Sequence, residues 1–147
     1  MATRHRLTIR SIDPDPRSAK LAEAAEHLGL PLPDGAPIGI ADVAFVTGDL
    51  TDDHRARLAN FLVDPLLQTG TWDPPGDVSD GDGVAAEVAF LPGVTDGAAT
   101  ALADAAARLG VPVEAAATGR RVEFPAGTDP ALAATVVARL VANPVIE

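Results

Sequence analysis

The sequence of 147 residues has no cysteine and no tyrosine, and only one lysine, one tryptophan and three histidines. Without cysteine there are no disulfides, no thiolate metal sites and no cysteine nucleophile, and a reducing cytoplasm is the expected location. Aromatic residues make up 3% of the chain, against 47% hydrophobic residues in all, so the core must be built from Ala, Val and Leu. Platforms for stacking nucleic-acid bases are not expected. Eleven basic residues against 21 acidic ones leave a net charge of −10, which repels phosphate backbones and anionic lipid headgroups. The expectation is therefore no nucleic acid and no membrane among the partners. No apolar run approaches the length of a membrane span, and Met1-Ala2-Thr3-Arg4-His5-Arg6 leads into an alternating segment rather than a signal core.

The motifs of common chemistry are missing as well. Ser11, Ser18 and Ser79 lie outside any G-x-S-x-G context, and the single lysine, Lys20, is not part of a phosphate-binding loop. His5, His27 and His54 are isolated from one another and read as surface or structural residues. Asp77, Asp80 and Asp82 invite a calcium reading, but counting a calcium loop from Asp77 or Asp80 puts Val88 or Leu91 where its glutamate should be. They read as a solvated linker. Arg120 and Arg121 are neighbours in a strand, so at most one can line a given site, and a solvated edge is expected for the pair. Arg4, Arg6 and Arg10 mark the solvent face of the first strand, and Trp72 reads as a plug between packed units. The sequence therefore assigns no catalytic, cofactor-binding or metal residue, and no cofactor.

What is present is a repeated programme. Leu7-Thr8-Ile9-Arg10 alternates as a strand, and Leu21, Ala24, Ala25 and Leu28 form a helical stripe that ends at Gly29. Residues Ile38 to Val46 supply either two short strands around Ala41-Asp42 or a single bent one. Thr51 caps a helix over about Asp52 to Val63 that buries Leu58, Phe61 and Leu62, Asp64-Pro65 ends it, and Leu66 to Trp72 reads as a strand. After the linker, Glu87 to Phe90 alternates again. Leu102, Ala105, Ala106, Leu109 and Gly110 then repeat the first stripe and its stop 81 positions on. Val113 to Ala117, a turn at Thr118-Gly119 and Arg120 to Phe124 predict a hairpin. Thr128 is the expected cap of a helix burying Val137, Leu140 and Val141, and Asn143-Pro144-Val145-Ile146 repeats Asp64-Pro65-Leu66-Leu67 79 positions on.

The expected fold is α/β (α+β): two tandem β-α-β-β-α-β units, residues 1–75 and 84–147, joined by an acidic Gly/Asp linker at 76–83 and packed as a pseudo-dimer. Each half is small for an independent core, so the two gain stability by joining sheet edges or faces. Glu147 matches Gln68, so the last strand of the second unit reads as truncated. The pattern implies a natural chain that continues, with its last residues here frayed.

Phe90-Leu91-Pro92-Gly93-Val94-Thr95-Asp96, Leu109-Gly110-Val111 and Arg139-Leu140-Val141-Ala142-Asn143-Pro144-Val145-Ile146-Glu147 resemble the PurS family. That family supplies the small subunit of phosphoribosylformylglycinamidine synthase. Gly48-Asp49-Leu50-Thr51 and Phe61-Leu62-Val63-Asp64-Pro65-Leu66-Leu67 are similar in style to the N-terminal region of the large synthase chain, although Asp13-Pro14-Asp15-Pro16 replaces the Pro-Gly-Val entry. The resemblance implies a scaffold in the ATP- and glutamine-dependent amidation step of purine biosynthesis, with the synthetase and glutaminase domains as partners and the catalytic residues elsewhere. The competing expectation is a regulatory module that binds a small molecule between paired units.

Overall fold

The computed structural model describes residues 2–33, 37–73 and 83–147. The linker residues Asp77, Ser79, Asp80 and Asp82 lie outside them. Five strands, β1 (Thr3–Ser11), β2 (Gly39–Gly48), β3 (Gln68–Asp73), β4 (Val84–Ala89) and β5 (Val113–Phe124), form one antiparallel sheet in the order β3-β1-β2-β5-β4. Helices α1 (Pro16–His27), α2 (Asp52–Leu62), α3 (Gly97–Arg108) and α4 (Pro130–Val136) complete an α+β fold. The element order of the first half, β-α-β-α-β, recurs as β-α-β-α in the second. The halves meet edge to edge, β2 against β5.

Of the two alternatives for Ile38 to Val46 the structure has the single strand, as β2, whereas the hairpin expected over Val113 to Phe124 needs correction: that segment runs through Thr118-Gly119 without a turn. Gly119 is required by a close approach rather than by a bend. A Cβ on it would stand 2.5 Å from the carbonyl oxygen of Val88 on β4, so only a bare backbone lets the strands meet there. Among the described residues the first unit is therefore one strand shorter than the β-α-β-β-α-β pattern and the second two strands shorter.

Strand alternation sends Leu7, Ala44, Val46, Val122 and Phe124 to one face, where all four helices pack in two clusters. The first joins Leu7, Ala44, Val46 and Leu58 to Leu102 and Ala106 of α3. The second joins Leu21 and Ala25 of α1 to Val122, Phe124, Ala133 and Val136. Each cluster thus takes one helix from the other half, and neither half has a complete core of its own.

Corresponding positions of the two halves also make the same individual hydrogen bonds. Leu28, Gly29 and Leu30 donate their N–H groups to the carbonyls of Ala24, Glu26 and Ala25, and Leu109, Gly110 and Val111 donate to Ala105, Ala107 and Ala106, 81 positions on. Gly29 and Gly110 take the left-handed conformation at φ 68° and 69° that closes such a helix end. At the helix exits, Leu66 N–H donates to the Asp64 side chain and Gln68 N–H to its carbonyl. Val145 and Glu147 do the same to Asn143. Residues 143–147 therefore fold into the same turn as residues 64–68.

The second helix pair departs from the repeat by one residue. α2 is capped by Thr51, whereas α4 is capped by the side chain of Asp129, 78 positions on. Thr128, the expected cap, instead donates its hydroxyl to the Pro125 carbonyl at 2.7 Å. From cap to exit the α4 segment has one more residue. The π turn Val137–Val141, closed by Ala142 N–H on the Val137 carbonyl, absorbs it. Leu58 therefore corresponds to the fully buried Val136, while Val137, Leu140 and Val141 are half-buried rather than buried as expected. Phe61, expected inside, is 59% exposed.

Candidate assembly surface

The shared exit turns fix two corresponding surfaces. Asp64 and Asn143 side chains each accept an N–H two residues on, and the side chains of Gln68 and Glu147 accept the N–H of Asp64 and Asn143 at 3.0 and 2.6 Å. Each turn is tied to the end of a strand: Ile12 N–H donates to the Leu67 carbonyl at 2.9 Å, and Leu91 N–H to the Ile146 carbonyl at 2.6 Å. Held this way, the turns present apolar side chains to solvent. Leu66 and Val145, 79 positions apart, are 85% and 79% exposed, and Ile12 and Leu91 are 55% and 42% exposed.

Between the halves lies a cleft of about 670 Å³ on the helix side of the sheet. Three pairs of corresponding positions line it, Ile9 and Val88, Asp42 and Arg120, and Leu62 and Val141, and most of the other lining residues come from the second half. Asp42 and Arg120 are also direct cross-strand partners, so the approximate two-fold relation of the halves passes between them. Arg120 donates to the Val141 carbonyl at 3.2 Å and to Glu147 Oε1 at 2.5 Å. Asp42 instead pairs with Arg17, which also holds Asp15. The Arg17 guanidinium keeps the Asp15 carboxyl below its ordinary range, and Asp15 and Asp42 raise Arg17 in return. In the second half Asp96 caps α3 through Ala99 N–H. Burial pushes its carboxyl up, but the N–H of Ala99 and the N–H and hydroxyl of Thr118 outweigh this and hold it below the ordinary range.

The opposite face of the sheet corrects the reading of the arginines. Arg4 is exposed, but Arg6 is 8% and Arg121 1% exposed. Arg6 pairs with Glu87 at 2.8 Å and Asp73 at 3.4 Å, and Arg121 pairs with Glu87 at 3.4 Å and Glu123 at 2.8 Å. Arg10, itself partly exposed, closes the network on Glu123. These ion pairs tie β1 to β4 and β5. Burial raises the Glu123 carboxyl, but Arg121 and Arg10 outweigh it and hold it below its ordinary range. Sequence alternation alone misses this network, because charges reaching across a sheet look the same in sequence as charges facing water.

The remaining residues have structural settings. His54 completes a capping box with Thr51 on α2, and exposed His27 sits in the last turn of α1. Buried His5 has Nε2 3.3 Å from the Gly48 carbonyl and meets Trp72 edge-on at 6.4 Å. Trp72 is half-buried against the first cluster, and its indole donates to the Arg55 carbonyl at 3.1 Å. Among the described residues no group of three or more His, Cys, Asp or Glu is arranged to hold a metal ion, and no helix is long and apolar enough to cross a membrane. No protein-family model matches the chain, and no curated protein matches it in sequence.

Proposed function

We propose that this chain is a non-catalytic assembly region of phosphoribosylformylglycinamidine synthase, holding the synthetase and glutaminase parts in a cytoplasmic complex. The observation that carries the assembly reading is the pair of corresponding exit turns, each presenting a largely exposed aliphatic side chain, Leu66 or Val145, on a hydrogen-bonded scaffold. Apolar groups held rigidly in water suit docking, because a partner gains their burial without ordering the loop. The synthase assignment rests on the sequence resemblance at Phe90 to Asp96 and Arg139 to Glu147. Mixing the chain with the synthetase and glutaminase domains, with glutamine and nucleotide present, tests it. Association is expected, weakened by Leu66→Asp or Val145→Asp, and failure to associate rejects the reading.

The central cleft supports the second reading, a regulatory module for a small molecule. A volume of about 670 Å³ with apolar walls and the Asp42 and Arg120 side chains is in the range of ligand pockets. Thermal shifts with amino acids and nucleotides separate the two readings, since a ligand that binds only the folded state raises the melting temperature.

A further inference from the structure

The chain carries 21 acidic residues against 11 basic ones, yet one small cavity has three cations and no carboxylate among the described residues that line it. It measures about 260 Å³ and lies on the helix side of the sheet, between α1 and the π turn. Leu21 and Leu140 wall it, and the cross-strand neighbours Ile40 and Val122 form its floor. Arg17 and Lys20 of α1 and Arg120 of β5 supply its charged groups. It is distinct from the central cleft, with which it shares only Arg120 and Val141.

Two of the cations are held by carboxylates that stand outside the lining. Arg17 is clasped by Asp15 and Asp42 through Nε, Nη1 and Nη2. Arg120 uses Nη2 for the Val141 carbonyl and Glu147, and its Nη1 has no acceptor among the described residues. Lys20 is exposed and has no ion-pair partner there at all. A guanidinium already fixed in place loses little further freedom when it takes an oxyanion.

The other half shows that packing does not require these charges. Leu21 corresponds to Leu102, 81 positions on, and both are buried, the second against the central cleft. At the same shift Arg17 becomes Ala98 and Lys20 becomes Ala101. The apolar stripe is thus common to both halves, while the cations at the mouth of the cavity belong to the first alone.

We propose that this cavity binds a small organic acid, with the short apolar body of the ligand on the aliphatic floor and its carboxylate on Lys20 and Nη1 of Arg120. Charge-assisted hydrogen bonds from these two groups provide the attachment, and the apolar walls limit the size of the body. One cation without a partner suits a single negative charge rather than a dianionic phosphate monoester. The inference goes beyond both readings of function, since it needs neither an assembly partner nor a ligand in the central cleft.

Sodium benzoate is the probe, with benzamide as its neutral control, titrated into the isotope-labelled whole chain while amide chemical shifts are followed. Saturable benzoate binding in the millimolar range is expected, with shifts at Ala24, Ile40 and Val122, and benzamide should bind roughly tenfold more weakly. Lys20→Met should weaken benzoate binding roughly tenfold and Lys20→Arg should keep it, and the exposure of Lys20 lets both variants fold. Ala24→Leu, which fills the cavity, should abolish binding. Absence of saturable binding at tens of millimolar benzoate overturns the proposal, as does equal binding of benzamide or unchanged binding by a folded Lys20→Met or Ala24→Leu variant. Shifts confined to Val88, Ala98 and Leu102 would place the ligand in the central cleft and overturn it too. Tighter binding of inorganic phosphate than of benzoate overturns the carboxylate class.

Discussion

The exits of α2 and α4 make the same hydrogen bonds, yet the helices leading to them differ by one residue, and the comparison shows where this fold tolerates change. The turn at Asn143 keeps the pattern of the turn at Asp64, while the extra residue is taken up as a π turn on a half-buried stretch of helix. The fully buried positions Leu58 and Val136, one turn earlier, keep their register from the helix caps. Core contacts near the cap and the turn after the exit are thus both preserved, and the mismatch is confined between them.

The largest effects are expected in the shared cores. Leu58→Ala should cost about 3 kcal/mol and Val136→Ala about 2 kcal/mol, because each empties a fully buried site. Chemical denaturation should show both halves destabilised by either change, since each cluster draws helices from both. Loss of structure confined to one half would break the comparison. Arg121→Ala should cost about 2 kcal/mol in the same measurement, because it removes a fully buried cation and leaves Glu87 to Arg6 and Glu123 to Arg10 alone. A loss below about 0.5 kcal/mol would show that the network contributes no more than surface charge.

Smaller effects sharpen the correspondence of the turns. Asp64→Ala and Asn143→Ala should each cost about 1 kcal/mol, the scale of one local hydrogen bond, and unequal losses would separate the turns energetically. Deleting the exposed Ala138 should restore an ordinary helix and change stability by less than about 1 kcal/mol. Acid supplies an independent probe. Asp15, Asp96 and Glu123 all have carboxyls held below their ordinary range in the folded chain. Their stabilisation is present above the unfolded carboxylate range of about 4 and is lost as pH falls through and below it. Melting temperatures of the Asp96→Asn variant should therefore depend less on pH between about 5 and 3 than those of the parent chain.

Much of this organisation is legible in the sequence, and the gaps have physical causes. The helix stops at Gly29 and Gly110 and the Asx-Pro exits are legible because their chemistry is local: a left-handed residue, and a side chain accepting a bond two residues away. Gly119 misleads because a glycine needed for close packing and one needed for a turn look identical in one dimension. The π turn hides for a related reason, since the apolar pattern matches 79 positions on at the exit while the helix cap matches 78. The burial of Arg6 and Arg121, and the meeting of Asp42 with Arg120, depend on strand order, which no local pattern encodes. The cleft between the halves was equally out of reach.

The claim on which the rest depends is that the halves fold as one unit because their cores exchange helices. Denaturant unfolding followed by Trp72 fluorescence, which reports the first half, and by amide exchange of Val122 and Val136 in the second tests it most directly. Coincident transitions with one free energy are predicted. A second half that retains its protected amides after Trp72 has become fully solvated would contradict it.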